Sequence, residues 1–213
     1  MTERGRRPSD VSAGPVPVDG RRLRSARTRQ LIIEAYLVLL RENPRIPTAA
    51  TIAQRAGCSV RSVFERFPDL HALRVAATDE ALLKASEQVA AQPAVGIRDD
   101  RLKTHVEARG RVCEEWLPLW RALIANQGDS ADLKARIRMI RELVIRRIEE
   151  VYAPELGTLD ERERLQTVLA LEALVDFESW ARMREQFGLS FEDACGVWKR
   201  AIDRLLPLTP PVS

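Results

Sequence analysis

Apolar residues recur at helical spacing along most of the chain, and this pattern predicts a protein built from α-helices alone. Residues 26–42 place six apolar side chains on one helical face: Leu31, Ile32, Ala35, Tyr36, Leu39 and Leu40. Prolines and glycines divide the later chain into candidate helices at about 70–92, 99–116, 119–126, 130–152, 159–186 and 190–206. No alternating pattern is long enough for a strand. The predicted fold class is therefore all-α, with about nine helices.

Residues 48–67, TAATIAQRAGCSVRSVFERF, are the most informative stretch because they read as two short helices joined by a tight turn. A helix-turn-helix crosses its helices at about 90–120° through a turn of 3–4 residues. Such a crossing needs a small residue where the helices touch, a glycine that can take positive φ and an apolar residue on the inner face. Ala53, Gly57 and Val63 meet these three needs. The segment predicts a DNA-binding unit, and a plain αα-hairpin is the alternative.

The predicted DNA contacts lie at the N-termini of these two helices. Thr48 is a good N-cap, and the free N–H groups and positive dipole end of its helix suit a phosphate. Ser59, Arg61 and Ser62 occupy the first turn of the second helix, which is the part that enters the major groove. Arg61 is the foremost candidate for base reading because a guanidinium can bond guanine O6 and N7 together. Arg66 lies further along and is better placed for a phosphate.

Positive charge is concentrated around this segment. Residues 1–75 contain 14 basic and 7 acidic side chains, a net charge of +7, whereas residues 76–213 contain 20 and 24, a net charge of −4. Residues 1–24 hold six arginines among prolines and glycines and predict a flexible basic tail. This tail is either a solubilising extension or an arm that follows the DNA backbone or enters the minor groove. The distribution favours a polyanionic partner for the N-terminal third.

The composition disfavours several classes of protein. No run of about 18 apolar residues could span a membrane, and no apolar segment follows the N-terminal arginines, so a soluble cytoplasmic protein is expected. Cys58, Cys113 and Cys195 are widely spaced, and only His71 and His105 could join them as metal ligands. The cysteines are expected to be half-buried apolar residues, with redox sensing by Cys58 as the alternative. No nucleophile motif or phosphate-binding glycine loop occurs, so no catalytic residue, metal or cofactor is predicted.

Residues 27–73 resemble the DNA-binding domain of the TetR family of bacterial repressors. The resemblance lies in the amphipathic first helix, then T-x-x-x-I-A-x-x-A-G-x-S, then S-V-F-x-x-F-P-D-x-x-A-L. It implies a helix-turn-helix domain at residues 25–73 and a repressor that binds a palindromic operator in double-stranded DNA as a homodimer. By this resemblance Thr48 takes the capping, phosphate-binding position, and Phe64 and Arg66 approach the backbone. The base-facing start of the recognition helix corresponds to Ser59, Val60, Arg61 and Ser62.

The chain departs from the family pattern at two phosphate anchors. Phe64 stands where the family commonly has tyrosine, so the hydroxyl that would reach a phosphate is missing. Leu70 replaces the lysine that the family has at the start of the fourth helix. The resemblance therefore implies a weaker hold on the DNA backbone and a lower salt dependence than is usual in the family, unless Arg66 and the basic tail compensate.

The resemblance also implies that residues 74–206 form a helical domain for effector binding and dimerisation, and residues 207–213 are predicted to be a flexible C-terminus. The last two predicted helices carry wide apolar arcs, which suit either a homodimer interface or ordinary monomer core. Their apolar residues are Leu165, Val168, Leu169, Leu171, Leu174 and Val175, then Leu189, Ala194, Val197, Trp198, Ile202 and Leu205.

Large aromatic residues of this second domain either line a pocket for a small-molecule effector or pack in the core. They are Trp116, Trp120, Tyr152, Phe177 and Trp180. Candidate polar groups in such a pocket are Arg109, Arg121, Asp176 and Glu178. The alternative function is an effector-free DNA-binding or architectural protein whose C-terminal helices only dimerise.

Overall fold

The structure, a computed structural model, describes residues 20–43, 45–91 and 94–211. These residues form ten α-helices and one π-helical segment, and they contain no strand, so the all-α prediction is confirmed. The α-helices are α1 Gly20–Glu42, α2 Ala49–Ala56, α3 Val60–Arg66, α4 Leu70–Ala90, α5 Arg98–Asn126, α6 Ala131–Val151, α7 Ala153–Leu156, α8 Glu161–Leu174, α9 Phe177–Ala181 and α10 Phe191–Leu205, and the π-helical segment is Arg182–Gln186. None of the described helices combines the length and apolar character that crossing a membrane requires.

The first three helices pack into one small unit with a shared apolar core. α1 contributes Ile32, Ile33 and Tyr36, α2 contributes Ile52, and α3 contributes Val63, and all five side chains are almost fully buried. Ile32, Ala35, Tyr36 and Leu40 of the apolar face predicted for α1 are buried, and α2, α3, α4 and α5 all pack against this helix. Leu31, which the periodicity places on the same face, is 41% exposed.

The start of α1 differs from the prediction. The helix begins at Gly20, six residues before the predicted start, so residues 20–24 are helical rather than part of a flexible tail. Arginine and leucine are good helix formers, and they extend the helix beyond its apolar face without any periodic signal. The rest of the predicted tail, at residues 1–19, lies outside the described residues, as does the predicted helix breaker Pro44.

α5 is the central helix, and it packs against α1, α4, α6, α9 and α10. It runs without interruption through Pro118, so the predicted division at this proline is wrong. A proline inside a helix removes one backbone hydrogen bond and crowds the preceding turn. Trp116, Leu117 and Trp120 are buried on both sides of Pro118, and the free energy gained from their burial outweighs that cost.

The single helix predicted at residues 159–186 is interrupted at Val175 and Asp176. Asp176 caps α9 by accepting a hydrogen bond from the Glu178 amide at 2.7 Å. The Val175 carbonyl accepts a hydrogen bond from Nε of Arg109 at 2.9 Å. The Asp176 cap starts α9 and is a local signal, whereas the arginine that binds the last carbonyl before it comes from α5 and is not visible in the local sequence pattern.

α5 and the C-terminal helices approach each other closely at Gly110. An ideal Cβ at this position would lie 2.8 Å from Cη2 of Trp180 and 3.1 Å from the Phe191 ring. Trp180 is almost fully buried and also packs against Trp198, with ring centroids 4.8 Å apart. The Trp180 ring therefore fits because position 110 has no side chain.

A buried carboxylate joins α5, α7 and the residues that follow α10. Glu155 is fully buried, and Nη2 of Arg101 lies 2.5 Å from its Oε1. The Thr209 hydroxyl donates to the same carboxylate at 2.5 Å, and a second α5 arginine donates to the Pro207 carbonyl at 2.5 Å. The predicted flexible C-terminus at residues 207–213 is therefore held against the domain at its start, and its last two residues lie outside the described part of the chain.

Candidate nucleic-acid interface and interior cavity

The two short helices have the caps and the turn that the sequence predicts. Oγ1 of Thr48 accepts a hydrogen bond from the Thr51 amide at 3.2 Å at the start of α2. Gly57 ends α2 with a φ of 66°, in the left-handed region that glycine adopts without a Cβ penalty. Ser59 caps α3 by accepting from the Ser62 amide at 3.0 Å. α3 therefore begins at the residue where the sequence places the recognition helix.

α3 has one buried face and one exposed face. Val63 is fully buried on the inner face, and Phe67 is buried just after the helix ends. Val60, Arg61 and Phe64 lie on the outer face, where 88% of the Arg61 side chain and 46% of Phe64 are exposed. A guanidinium beside apolar side chains matches what the major groove offers, namely guanine acceptors and the thymine methyl group.

Glu65 holds both arginines of this helix and is a site residue that the sequence reasoning missed. Its carboxylate accepts from Nε of Arg61 at 3.0 Å and from Nη1 of Arg66 at 3.0 Å. The hydrogen bonds from Arg61 first, and then from Arg66, lower the pKa of the Glu65 carboxyl below its usual value. The i, i+4 spacing of Arg61 and Glu65 was the signal that could have revealed this pair.

Arg66 is less open to solvent than Arg61. Only 22% of its side chain is exposed, and its Nε is buried without a hydrogen-bond partner among the described residues. Leu70 is half-buried at the start of α4, and Phe64 has no hydroxyl to offer. Four arginines on the first part of α1 are exposed beside the recognition unit: Arg22, Arg24, Arg27 and Arg29. α1 thus includes three of the arginines that the sequence assigns to a tail, namely Arg21, Arg22 and Arg24.

Arg41, near the end of α1, links the recognition unit to the second domain. Its Nη2 lies 2.9 Å from Oε1 of Glu115 on α5. Its guanidinium also lies over the Trp116 ring, 4.9 Å from the ring centroid. The other oxygen of Glu115 accepts from Gln88 of α4 at 2.8 Å. One cluster therefore connects α1, α4 and α5.

A cavity of about 570 Å³ lies among α4, α5, α6 and the start of α9. Of the predicted pocket aromatics, Trp116, Trp120 and Phe177 line it, and the Trp120 and Phe177 rings stack with centroids 4.9 Å apart. Tyr152 and Trp180 do not line it. Tyr152 lies behind the wall and Trp180 packs in the core against α10. The volume suits a ligand of drug size.

Only part of the polar groups predicted for the pocket line the cavity. Arg109 lines the cavity, whereas Arg121 pairs with Glu178 and Glu185 outside it and Asp176 caps α9. The sequence reasoning missed the remaining polar lining groups because they lie on α4, α5 and α6, far apart along the chain. They are Thr78, Ser86, His105, Arg146, Arg147 and Glu150.

Comparison with known proteins gives structural similarity without sequence similarity. No protein-family model matches the chain, and no curated protein matches it. A TetR-family regulator from Streptomyces coelicolor is 18% identical, with a TM-score of 0.69 over 84% of this chain and 80% of that one.

Two further solved structures are similar over most of their length. A protein described as a TetR-family transcriptional regulator from Rhodococcus sp. is 19% identical, with a TM-score of 0.67 over 84% of this chain and 98% of that one. The multidrug binding protein EbrR, solved with imidazole, is 19% identical, with a TM-score of 0.59 over 91% and 94% of the two chains. The resemblance that the sequence motifs indicate is confirmed at the level of the fold, and this protein has the fold of the TetR-family transcriptional regulators.

Proposed function

We propose that the protein is a TetR-family transcriptional regulator that binds double-stranded operator DNA through α3. The observation that carries this proposal is the capped helix-turn-helix with Arg61 at its exposed start. Phosphate contacts from Thr48 and the α1 arginines fix the register, and Arg61 reads a base edge. The net charge of +7 in the first 75 residues supports the same partner.

The active form that we propose is a homodimer formed through α8 and α10. Leu165 and Leu169 on α8, and Val197 and Leu205 on α10, are apolar side chains exposed to solvent. Exposed apolar residues that cluster on neighbouring elements favour an interface. A two-fold pair of recognition helices would read half-sites about 34–36 Å apart in a palindrome. The charge distribution agrees, because the positively charged N-terminal third of each protomer would then face the same DNA.

We propose that the regulator is a bacterial, cytoplasmic repressor that releases DNA when a small molecule occupies the cavity. The supporting observation is the position of the cavity, whose walls include α4, the helix that follows the recognition unit. A ligand that prefers one arrangement of α4 shifts the population of that arrangement. The effector-free alternative, in which the second domain only dimerises, leaves the cavity without a role.

Footprinting of the purified protein on the DNA upstream of its own gene tests the proposed DNA-binding function. The expected result is a protected palindrome that Arg61→Ala loses, with affinity reduced about 5- to 150-fold. Arg111→Ala is the matched control, because Arg111 is also an exposed arginine in an i, i+4 pair but lies on α5. Unchanged protection by the Arg61 variant would contradict the proposed base reading, and a protected site without two-fold symmetry would contradict the dimer.

A further inference from the structure

The charged groups of the cavity are mainly positive. Among the residues that the structure describes, Arg109, Arg146 and Arg147 line it together with a single carboxylate, Glu150. That carboxylate already accepts from Nη1 of Arg147 at 2.9 Å. The remaining lining is dominated by apolar and aromatic side chains. A ligand that fills this space therefore meets an excess of positive charge on otherwise apolar walls.

Arg109 differs from the other arginines of the cavity because it is buried and forms no ion pair among the described residues. Only 9% of the residue is exposed, and it forms no ion pair with a carboxylate in the described part of the chain. Its Nε donates to the Val175 carbonyl, and its guanidinium lies over the Phe177 ring, 4.7 Å from the centroid. No described residue accepts a hydrogen bond from Nη1 or Nη2. Buried arginines are usually paired, so these two donors fit an anionic oxygen pair that comes from a ligand.

His105 does not add to the positive charge at neutral pH. Burial first, and then the charges of Arg147 and Arg109, lower the pKa of His105 to about 3. Its Nδ1 is 2.7 Å from the Tyr152 hydroxyl, so the ring is already engaged behind the cavity wall. The positive character of the site therefore comes from the arginines and not from His105.

We propose that the cavity binds an organic anion with an aromatic body, represented by an aromatic carboxylate. The carboxylate accepts two hydrogen bonds from Arg109, and the ring lies against Trp116, Trp120 and Phe177. The cavity of about 570 Å³ accommodates two or three fused or linked rings. This inference rests on the proposed function only where it concerns regulation of DNA binding. The preference for an anion can be measured without DNA.

Three probes of nearly equal shape test the preference: 4-biphenylcarboxylate, its neutral primary amide and 4-biphenylmethylammonium. Full-length protein without DNA is titrated at pH 7.5, and binding is followed by quenching of tryptophan fluorescence and by thermal shift. Trp116 and Trp120 line the cavity, so an occupying ring changes their emission. The carboxylate is expected to bind about tenfold or more tightly than the amide, and the ammonium probe least tightly.

The Arg109→Gln variant should bind the carboxylate and the amide equally. Arg109→Lys should keep part of the preference, which separates charge from folding, and circular dichroism checks that both variants are helical. Arg111→Gln, an exposed arginine two residues along α5, should keep the full preference. The proposal would be overturned if the unmodified protein bound the amide or the ammonium probe as tightly as the carboxylate, or more tightly. It would also be overturned if Arg109→Gln kept the full preference for the carboxylate, or if no probe bound at about 1 mM. Failure of the footprinting experiment would leave all these outcomes unchanged, so the two proposals fail separately.

Discussion

Replacing Glu65 by glutamine is expected to strengthen DNA binding. In the free protein this one carboxylate accepts from Arg61 and from Arg66, at 3.0 Å in each case. The bond from Nε of Arg61 to this carboxylate restrains the guanidinium and offsets its charge, and a negative charge on α3 also repels the phosphates. Glutamine keeps the size and helix propensity of the side chain but removes the charge.

The size of the effect follows from the exposure of the pairs. The Arg61 side chain is 88% exposed and that of Glu65 is 47% exposed, and an exposed ion pair of this kind changes an equilibrium by a factor of about 1.5 to 5. Release of Arg61 alone therefore raises operator affinity by about that factor. The loss of repulsion between Glu65 and the DNA phosphates raises the affinity further. Salt screens this repulsion, so the gain in affinity should become smaller between about 50 and 200 mM salt.

Fluorescence anisotropy of a labelled operator duplex, titrated at several salt concentrations, measures both parts of this effect. Glu107→Gln on α5 is the matched control, because it removes the same charge from an i, i+4 pair with an arginine outside the recognition unit. Affinity that is unchanged or lower in Glu65→Gln, while the Glu107 control binds normally, would refute the reasoning. It would mean that Glu65 positions Arg61 for the base instead of competing with it.

Four further results are expected. Glu155→Ala leaves Arg101 buried without its partner, so the free energy of unfolding should fall by about 3–5 kcal/mol, and thermal denaturation should show a midpoint lower by about 6–20 °C. Burial raises the pKa of Glu155, but the hydrogen bonds to its carboxylate outweigh this and lower the pKa below 4.5. The contribution of Glu155 to stability is therefore complete above about pH 4.5 and is lost as the pH falls through its folded-state pKa. Urea unfolding at several pH values measures this loss. If the proposed dimer forms through α8 and α10, Leu169→Glu should convert it to a monomer in sedimentation velocity. Arg41→Gln removes the contact with Trp116. The effect of a cavity ligand on DNA affinity should then be about 2- to 30-fold smaller than in the unmodified protein, as measured by anisotropy with and without ligand.

Glu149→Ala, which removes a partly exposed carboxylate paired across to α8, should shift the midpoint far less than Glu155→Ala. A stability difference between the unmodified protein and Glu155→Gln that stays constant below pH 4 would contradict the pH assignment. Val95→Glu is the control, because Val95 is also an exposed apolar residue but lies away from α8. If the Val95 variant were monomeric too, the effect of Leu169→Glu would not be specific to the proposed interface. An unchanged ligand effect in Arg41→Gln would remove Arg41 from the coupling.

The sequence predicts the recognition unit well because its structure is determined locally. Thr48, Gly57 and Ser59 each act within three or four residues, through caps and a left-handed turn, so residue type and spacing are sufficient. The second domain is less predictable because its determinants lie far apart in the chain. Pro118 stays helical through tertiary packing, and the end of α8 depends on Arg109, 66 positions away from the carbonyl that it binds.

The candidate site follows the same division. Arg61 could be named from its position after a cap, whereas the competing role of Glu65 required the side-chain geometry. Trp116 and Trp120 could be selected as large aromatics, but their position on a cavity wall depends on how α4 and α6 pack against α5. That no described carboxylate pairs with Arg109 is a property of the folded arrangement, and no local pattern encodes it.

The close approach at Gly110 has a consequence for how related sequences vary. A methyl group at this position would meet the Trp180 ring at 2.8 Å, and Trp198 and Phe191 leave that ring little room to move. Positions 110 and 180 should therefore covary, with a larger residue at 110 accompanied by a smaller one at 180. Identities of 18–19% to the compared structures give weak guidance for an alignment. A reciprocal change in side-chain volume at these two positions would then mark the correct register of α5 against α9 in a distant relative.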